Sequence, residues 1–216
     1  MLELRSLRYQ PATAAVPVLD GVNLRLELGQ PALVAGRSGS GKSTLLDLIC
    51  GLAEPGGRGS KGAIRWNGET FNARQRRWLC GLVFQFPERH FLGLTVGQEL
   101  KVGQRRVSTD AIDTVLKQVG LENVSLQQAP ESLSGGQQRR LALAVQLLRN
   151  PRVLLLDEPT AGLDWSVRSD VVELLGALAR ERVLLVVTHE PELFEQQVAP
   201  AHRYRLEGGL LMNTVR

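Results

Sequence analysis

A chain of 216 residues, 43% hydrophobic and 22% charged, is long enough to bury one sizeable core, or a core with a small appended lobe. Its formal net charge of +4 comes from scattered basic residues, so no nucleic-acid partner is expected, and no apolar run approaches the roughly 20 residues that a membrane-spanning helix needs. The start Met1-Leu2-Glu3-Leu4-Arg5 lacks the basic-then-apolar order of a signal peptide, so the expected location is cytoplasmic, with membranes met only through partner subunits.

Leu2 to Tyr9 alternates apolar and polar residues and reads as a half-buried strand. Gln10 to Pro17 carries two prolines and reads as a loop. Val22 to Leu28 alternates again, and Gly29-Gln30-Pro31 turns the chain into the short apolar run Leu33-Val34-Ala35. Next comes Gly36-Arg37-Ser38-Gly39-Ser40-Gly41-Lys42-Ser43-Thr44, which reads G-x-x-x-x-G-K-S between that buried strand and the helical run Leu45 to Ile49. Glycines at this spacing let the backbone curl around an anion with its N–H groups turned inward, and the helix start adds the positive end of its dipole. Lys42 is then expected on the β- and γ-phosphates of a nucleotide, and the Ser43 hydroxyl on Mg²⁺.

Gly51 to Gly62 is glycine-rich around Pro55-Gly56-Gly57 and reads as a loop; Ala63 to Trp66 followed by Asn67-Gly68 reads as a strand and tight turn. Together these segments predict an antiparallel patch beside the nucleotide loop. Arg74, Arg76 and Arg77 form the local basic cluster, more readily a solvated helix face than a lipid contact. Cys50 and Cys80 lie far apart and read as small buried hydrophobes. Leu82 to Gln85 is a further strand, ended near Pro87. Thr95 to Gln128 turns helical, with Ala111, Ile112, Val115, Leu116 and Val119 on one stripe, and Ser134 to Asn150 is an amphipathic helix opened by Ser134-Gly135-Gly136. Val153 to Leu156 and Val183 to Val187 are continuous apolar runs, as expected of buried parallel strands. Asp164 is placed to cap a helix through Arg180, and Arg203 to Leu211 is a short tail.

Asp157-Glu158 follows the first of these runs. A carboxylate there can meet solvent as any strand end does. Beside a phosphate loop, Asp157 can hold Mg²⁺ through water and Glu158 can polarise an attacking water. Leu133-Ser134-Gly135-Gly136-Gln137 decides between these readings. It is the signature pentapeptide of the ATP-binding-cassette (ABC) ATPases, and the chain resembles that family nearly end to end.

The resemblance implies an α/β fold. Its P-loop NTPase core, residues 1–85 and 150–216, has a mostly parallel sheet and an N-terminal antiparallel β subdomain; residues 86–149 form a small helical subdomain. It implies an Mg²⁺-dependent ATPase working as a head-to-tail homodimer or heterodimer. Ser134, Gly135, Gly136 and Gln137 of one copy then grip the γ-phosphate held by the Gly36–Thr44 loop of the other. Tyr9 matches the adenine-stacking aromatic, though an edge-strand aromatic would look the same. Gln85 matches the glutamine that touches Mg²⁺ and water, and His189 the histidine at the γ-phosphate. Ala161-Gly162-Leu163-Asp164 matches the dimer-interface loop, with Trp165 where many members have proline. His90 and His202 match no motif. Phe84-Gln85-Phe86-Pro87-Glu88 resembles the glutamine loop of energy-coupling-factor transporters, which take up metal ions and vitamins, and only 27 residues follow His189, as in short cyanobacterial and plastid relatives. Phe84, Phe86 and Phe91 are expected to line a groove for a helix of a membrane subunit. A soluble or regulatory ABC ATPase, of the iron–sulfur assembly or cell-division kind, is the competing expectation.

Overall fold

The computed structural model describes residues 1–54, 61–104 and 106–214. In chain order its strands and α-helices are β1 (Leu2–Tyr9), β2 (Leu19–Leu26), β3 (Ala32–Ala35), α1 (Lys42–Cys50), β4 (Lys61–Trp66), β5 (Glu69–Thr70), α2 (Ala73–Leu79), β6 (Cys80–Val83), α3 (Val96–Glu99), α4 (Thr109–Gln118), α5 (Gly135–Leu148), β7 (Val153–Asp157), α6 (Trp165–Ala179), β8 (Val183–Thr188), β9 (Arg203–Glu207) and β10 (Leu210–Asn213). Two sheets result. One has four antiparallel strands in the order β2-β1-β4-β5, and the other has six in the order β10-β9-β3-β8-β7-β6. In the larger sheet β9, β3, β8, β7 and β6 run parallel, and β10 closes the edge antiparallel.

Alternation along the strands explains the layering. Every residue of β7 and β8 is buried. Leu154, Leu156, Leu184 and Val186 face one core, with residues of α4, α5 and α6. Val153, Leu155, Val183, Leu185 and Val187 face the other, with α1 and the apolar side of the small sheet. Successive side chains point to opposite faces, so a strand covered on both sides must be apolar at every position. The carboxyl ends of β3, β6, β7 and β8 therefore open together, where ligands of such sheets bind.

Local chemistry sets the element ends. Asn67 and Gly68 both have positive φ, 50° and 90°, the requirement of the tight hairpin turn between β4 and β5. Ser134 and Gln137 close a capping box: the Ser134 hydroxyl accepts from Gln137 N at 3.3 Å and Gln137 Oε1 from Ser134 N at 2.9 Å. Asp164 occupies the cap position of α6 but accepts no capping bond with its side chain.

Several expectations need correcting. Phe84 and Gln85 lie beyond β6, which begins earlier, at Cys80, because that register pairs Cys80 with Val153. The tail is two strands, since β9 finds unpaired backbone on the free edge of β3. Within the helical stretch Thr95 to Gln128 the structure has two short helices, α3 and α4. The centre of the glycine-rich loop, residues 55–60, lies outside the described residues. Arg76 is not on a solvated face: it is buried and donates to Phe71 O at 2.7 Å. Cys50 and Cys80 are free and buried, and burial pushes the Cys50 thiol up to about 11 and Cys80 higher still, so both are chemically quiet hydrophobes. Among the described residues no helix is long and apolar enough to cross a membrane.

Candidate functional site

The Gly36–Thr44 loop leaves β3 and enters α1. A Cβ at Gly36 would lie 2.6 Å from Ser40 Oγ and 2.7 Å from Leu206 O, so only glycine fits the close turn. Gly39 and Gly41 take φ of +78° and +101°, left-handed values that glycine adopts without cost. Gly41 caps α1 and can offer no side-chain acceptor, so the first N–H groups of the helix remain for a ligand.

Lys42 is buried and folds back across the loop. Its Nζ donates to Gly36 O at 2.8 Å and Arg37 O at 3.2 Å, and stands 3.4 Å from Glu158 Oε1. The Glu158 carboxylate is 7% exposed. Its other oxygen accepts from the His189 backbone N–H at 3.1 Å and lies 2.8 Å from His189 Nδ1. Glu158 also has φ +48°, a conformation non-glycine residues rarely hold, kept here by its N–H bonding Val187 O at 2.9 Å. Beside it, the Asp157 carboxyl is raised above the ordinary carboxylate range, first by burial and then by the Glu158 charge, while the Ser43 hydroxyl and Lys42 oppose the shift. Asp47 is raised too, by burial and by Asp157. Crowded, desolvated carboxylates next to a hydroxyl are the donor set a hard divalent cation would relieve, so the residues present fit Mg²⁺.

A cavity of about 490 Å³ joins these groups, lined by Val18, Ser38, Gly39, Gly41, Lys42, Ser43, Thr44, Gln85, Asp157, Glu158 and His189. Gly36 and Ser40 instead face an adjoining cleft shared with His189 and Arg205. Tyr9 is half-buried against the apolar side of the small sheet and does not line the cavity. Val18, whose N–H bonds Tyr9 O at 2.9 Å, lines it instead. Ser134, Gly135, Gly136 and Gln137 are also outside it. Gly136 abuts α6, where a Cβ would lie 2.5 Å from Val167 Cγ1, and Gly135 neighbours Leu163. One chain thus assembles the phosphate loop, Gln85, Asp157, Glu158 and His189, and presents the signature pentapeptide elsewhere.

Arg139 belongs to no sequence motif, yet it is part of the site. From the second turn of α5 its guanidinium donates to Gln85 O at 2.8 Å, Glu158 O at 3.2 Å and Ala161 O. It ties the glutamine loop, the β7 end and the loop before α6 together while only 8% exposed. The available signal was a pair of arginines in a helix with apolar neighbours, where one must turn inward.

The ABC transporter family profile matches residues 19–161. The chain is 38% identical to ABC transporter I family member 11, chloroplastic, of Arabidopsis thaliana, over 98% of this chain and 80% of that one. It is also 38% identical to the energy-coupling factor transporter ATP-binding protein EcfA2 of Symbiobacterium thermophilum, over 92% of this chain and 73% of that one. Among solved structures, cbiO1 from Clostridium perfringens, part of the ABC transporter complex cbiONQ, superposes with a TM-score of 0.85 at 27% identity, covering 98% of this chain and 88% of that one. The dimeric bacterial cassette MJ0796 gives 0.81 at 25% identity, covering 98% and 96%. With a phosphate loop, a paired buried acid and the signature pentapeptide on one such fold, the chain belongs to the ABC transporter family and is an ATP-binding ATPase of it.

Proposed function

We propose that this chain is the ATP-hydrolysing subunit of an energy-coupling-factor type uptake transporter. It acts as a head-to-tail dimer of cassettes on the cytoplasmic face of the membrane. Glu158, buried between Lys42 and His189 at the mouth of the phosphate loop, carries the reading of activity. The similarity to EcfA2 supports the reading of the partner. Residues 1–85 and 150–216 form the nucleotide-binding core and residues 86–149 the helical subdomain.

Lys42 exchanges the carbonyls of Gly36 and Arg37 and the Glu158 carboxylate for β- and γ-phosphate oxygens. Ser38, Gly39, Gly41 and Thr44 surround the phosphates, with Ser40 behind them on the adjoining cleft, and an adenine reaching past Val18 would stack on Tyr9, whose carbonyl accepts from the Val18 N–H. Ser43 Oγ, Gln85 and, through water, Asp157 would hold Mg²⁺, which when bound neutralises charge on the phosphate oxygens. Glu158, released by Lys42, orients the attacking water and accepts its proton, and His189 and Gln85 read the γ-phosphate. Ser134, Gly135, Gly136 and Gln137 of a second copy close the site with the N-terminus of its α5.

Lys42→Ala should therefore weaken ATP binding about 10- to 100-fold, the worth of charge-assisted bonds to a desolvated phosphate. Titration with a fluorescent ATP analogue checks this, and near-wild-type affinity would refute the assignment of the loop.

The face for the membrane subunit lies beside Gln85. Phe84 and Phe86 are exposed, the first 4.7 Å from the His90 ring and the second beneath the Arg89 guanidinium at 4.6 Å. Phe91 instead packs, half-buried, against the core of the helical segment, which narrows the three-phenylalanine groove expected from sequence. An apolar groove of about 190 Å³ lined by Phe84, Phe91, Val102, Ala142, Val145 and Gln146 remains. It suits the apolar face of a short helix. Phe86→Ala should keep the melting temperature and ATP affinity while losing copurification with a membrane subunit from gently solubilised membranes. Phe91→Ala should melt several degrees lower. If Phe86→Ala still copurifies, the docking face beside Gln85 is wrong; if wild type retains no membrane protein, the transporter reading fails and a soluble or regulatory ATPase takes its place.

A further inference from the structure

Helix α2 is short, and its two faces differ sharply. Ala73, Arg76 and Leu79 turn into the core, whereas Arg74, Arg77 and Trp78, at i, i+3 and i+4, share one exposed face. Trp78 is 73% exposed. Arg77 Nη1 donates to Gly51 O at 2.7 Å, which fixes the helix against the end of α1. Arg149, the C-terminal cap of α5, donates from Nη2 to Arg77 O at 2.8 Å and so sets a third exposed guanidinium alongside. Among the described residues none of these three arginines takes part in an ion pair. Of the acids nearby, Glu54 is exposed and its charge acts on the buried Arg76, and Asp47 is half-buried beside Cys50.

Solubility accounts for surface arginines but not for a bare indole among them. An indole flanked by guanidinium groups is the combination that sits at the head-group level of a bilayer, the ring among the glycerol and carbonyl groups and each planar fork on a phosphate. The patch is also continuous with the groove described above: Arg149 Nη1 donates to Gln146 Oε1 at 3.1 Å, and Gln146 lines that groove. We propose that the Arg74–Arg77–Trp78 face of α2, with Arg149, docks on anionic lipid head groups next to the groove that receives the membrane subunit. The orientation rests on the transporter reading. The lipid contact itself does not need the subunit.

The test uses the full chain and protein-free vesicles of phosphatidylcholine, with and without phosphatidylglycerol, at low ionic strength. Wild type should sediment with the anionic vesicles and not with the neutral ones, and added salt should release it. Arg74→Gln should weaken this binding about fivefold, the worth of one basic residue near an anionic surface. Trp78→Ser should weaken it further and remove the blue shift of tryptophan emission that vesicles induce in wild type. Both positions are exposed, so both variants should melt with wild type, which separates lost binding from lost folding. The proposal is overturned if wild type ignores anionic vesicles, or if both variants bind them as wild type does. It is equally overturned if the variants keep vesicle binding but lose copurification with the membrane subunit, which would make an acidic protein segment the occupant. A negative vesicle result leaves the transporter reading untouched, because that reading is decided by whether wild type copurifies with a membrane subunit.

Discussion

Glu158→Gln is expected to bind ATP about as tightly as wild type and to hydrolyse it at least ~100-fold more slowly, the range lost when a positioned general base is removed. The amide keeps the shape of the side chain and can still accept from the His189 N–H, where the carboxylate accepts at 3.1 Å. It cannot take a proton from water, and it removes the negative charge 3.4 Å from Lys42 Nζ. Folding should not suffer. One of two crowded acids disappears, and the Asp157 carboxyl loses the neighbouring charge that helps to raise it. Trapped before hydrolysis, the variant should form a dimer that depends on ATP. Single-turnover hydrolysis and multi-angle scattering after size exclusion read both effects. A variant that hydrolyses at half the wild-type rate, or stays monomeric at saturating Mg·ATP, contradicts the proposed roles of Glu158 and the signature pentapeptide.

Arg139→Met should cost about 3 kcal/mol or more, since carbonyls that the guanidinium satisfied are left in a dry place at about 1 kcal/mol or more each. For a chain of this size that is a fall in melting temperature of roughly 6–12 °C. Methionine fills a similar volume, so the loss reports the donated bonds to Gln85, Glu158 and Ala161 rather than a cavity. Hydrolysis should fall beyond the loss of folded protein, because the same guanidinium places the backbone of Gln85 and Glu158. Arg139→Lys should rescue little, since a single ammonium cannot reproduce a planar fork that serves carbonyls from three segments. Thermal unfolding within 2 °C of wild type would show that the guanidinium is dispensable.

Much of this site was legible in the linear chain because its chemistry is written in short-range spacing. Gly36, Gly41, Lys42 and Ser43 lie within one loop, and backbone geometry makes their order meaningful without knowledge of the fold. Ser134 and Gln137 are three residues apart and reciprocally capped, again a local matter. The unbroken apolar runs of β7 and β8 marked strands covered on both faces, because alternation disappears when neither face meets water.

Other features needed the folded chain. Nothing local tells which of Arg139 and Arg140 turns inward; the phase of α5 against the sheet does, and Arg140 ends in an exposed pair with Asp170 at 2.8 Å. The same holds for Arg76 against Arg74 and Arg77, and for Phe91 against Phe86. The Glu158 carboxylate meets Lys42 and His189 only because β3, β7 and β8 are neighbours in the sheet, which brings distant positions within 3.4 Å and 2.8 Å. By itself the sequence determined which backbone segments bind phosphate, pair as strands or start helices, since those depend on residues within a turn or two. The tertiary structure decided which polar side chains are buried and what they hold, because that depends on which carbonyls and charges the packing of distant segments leaves to be satisfied.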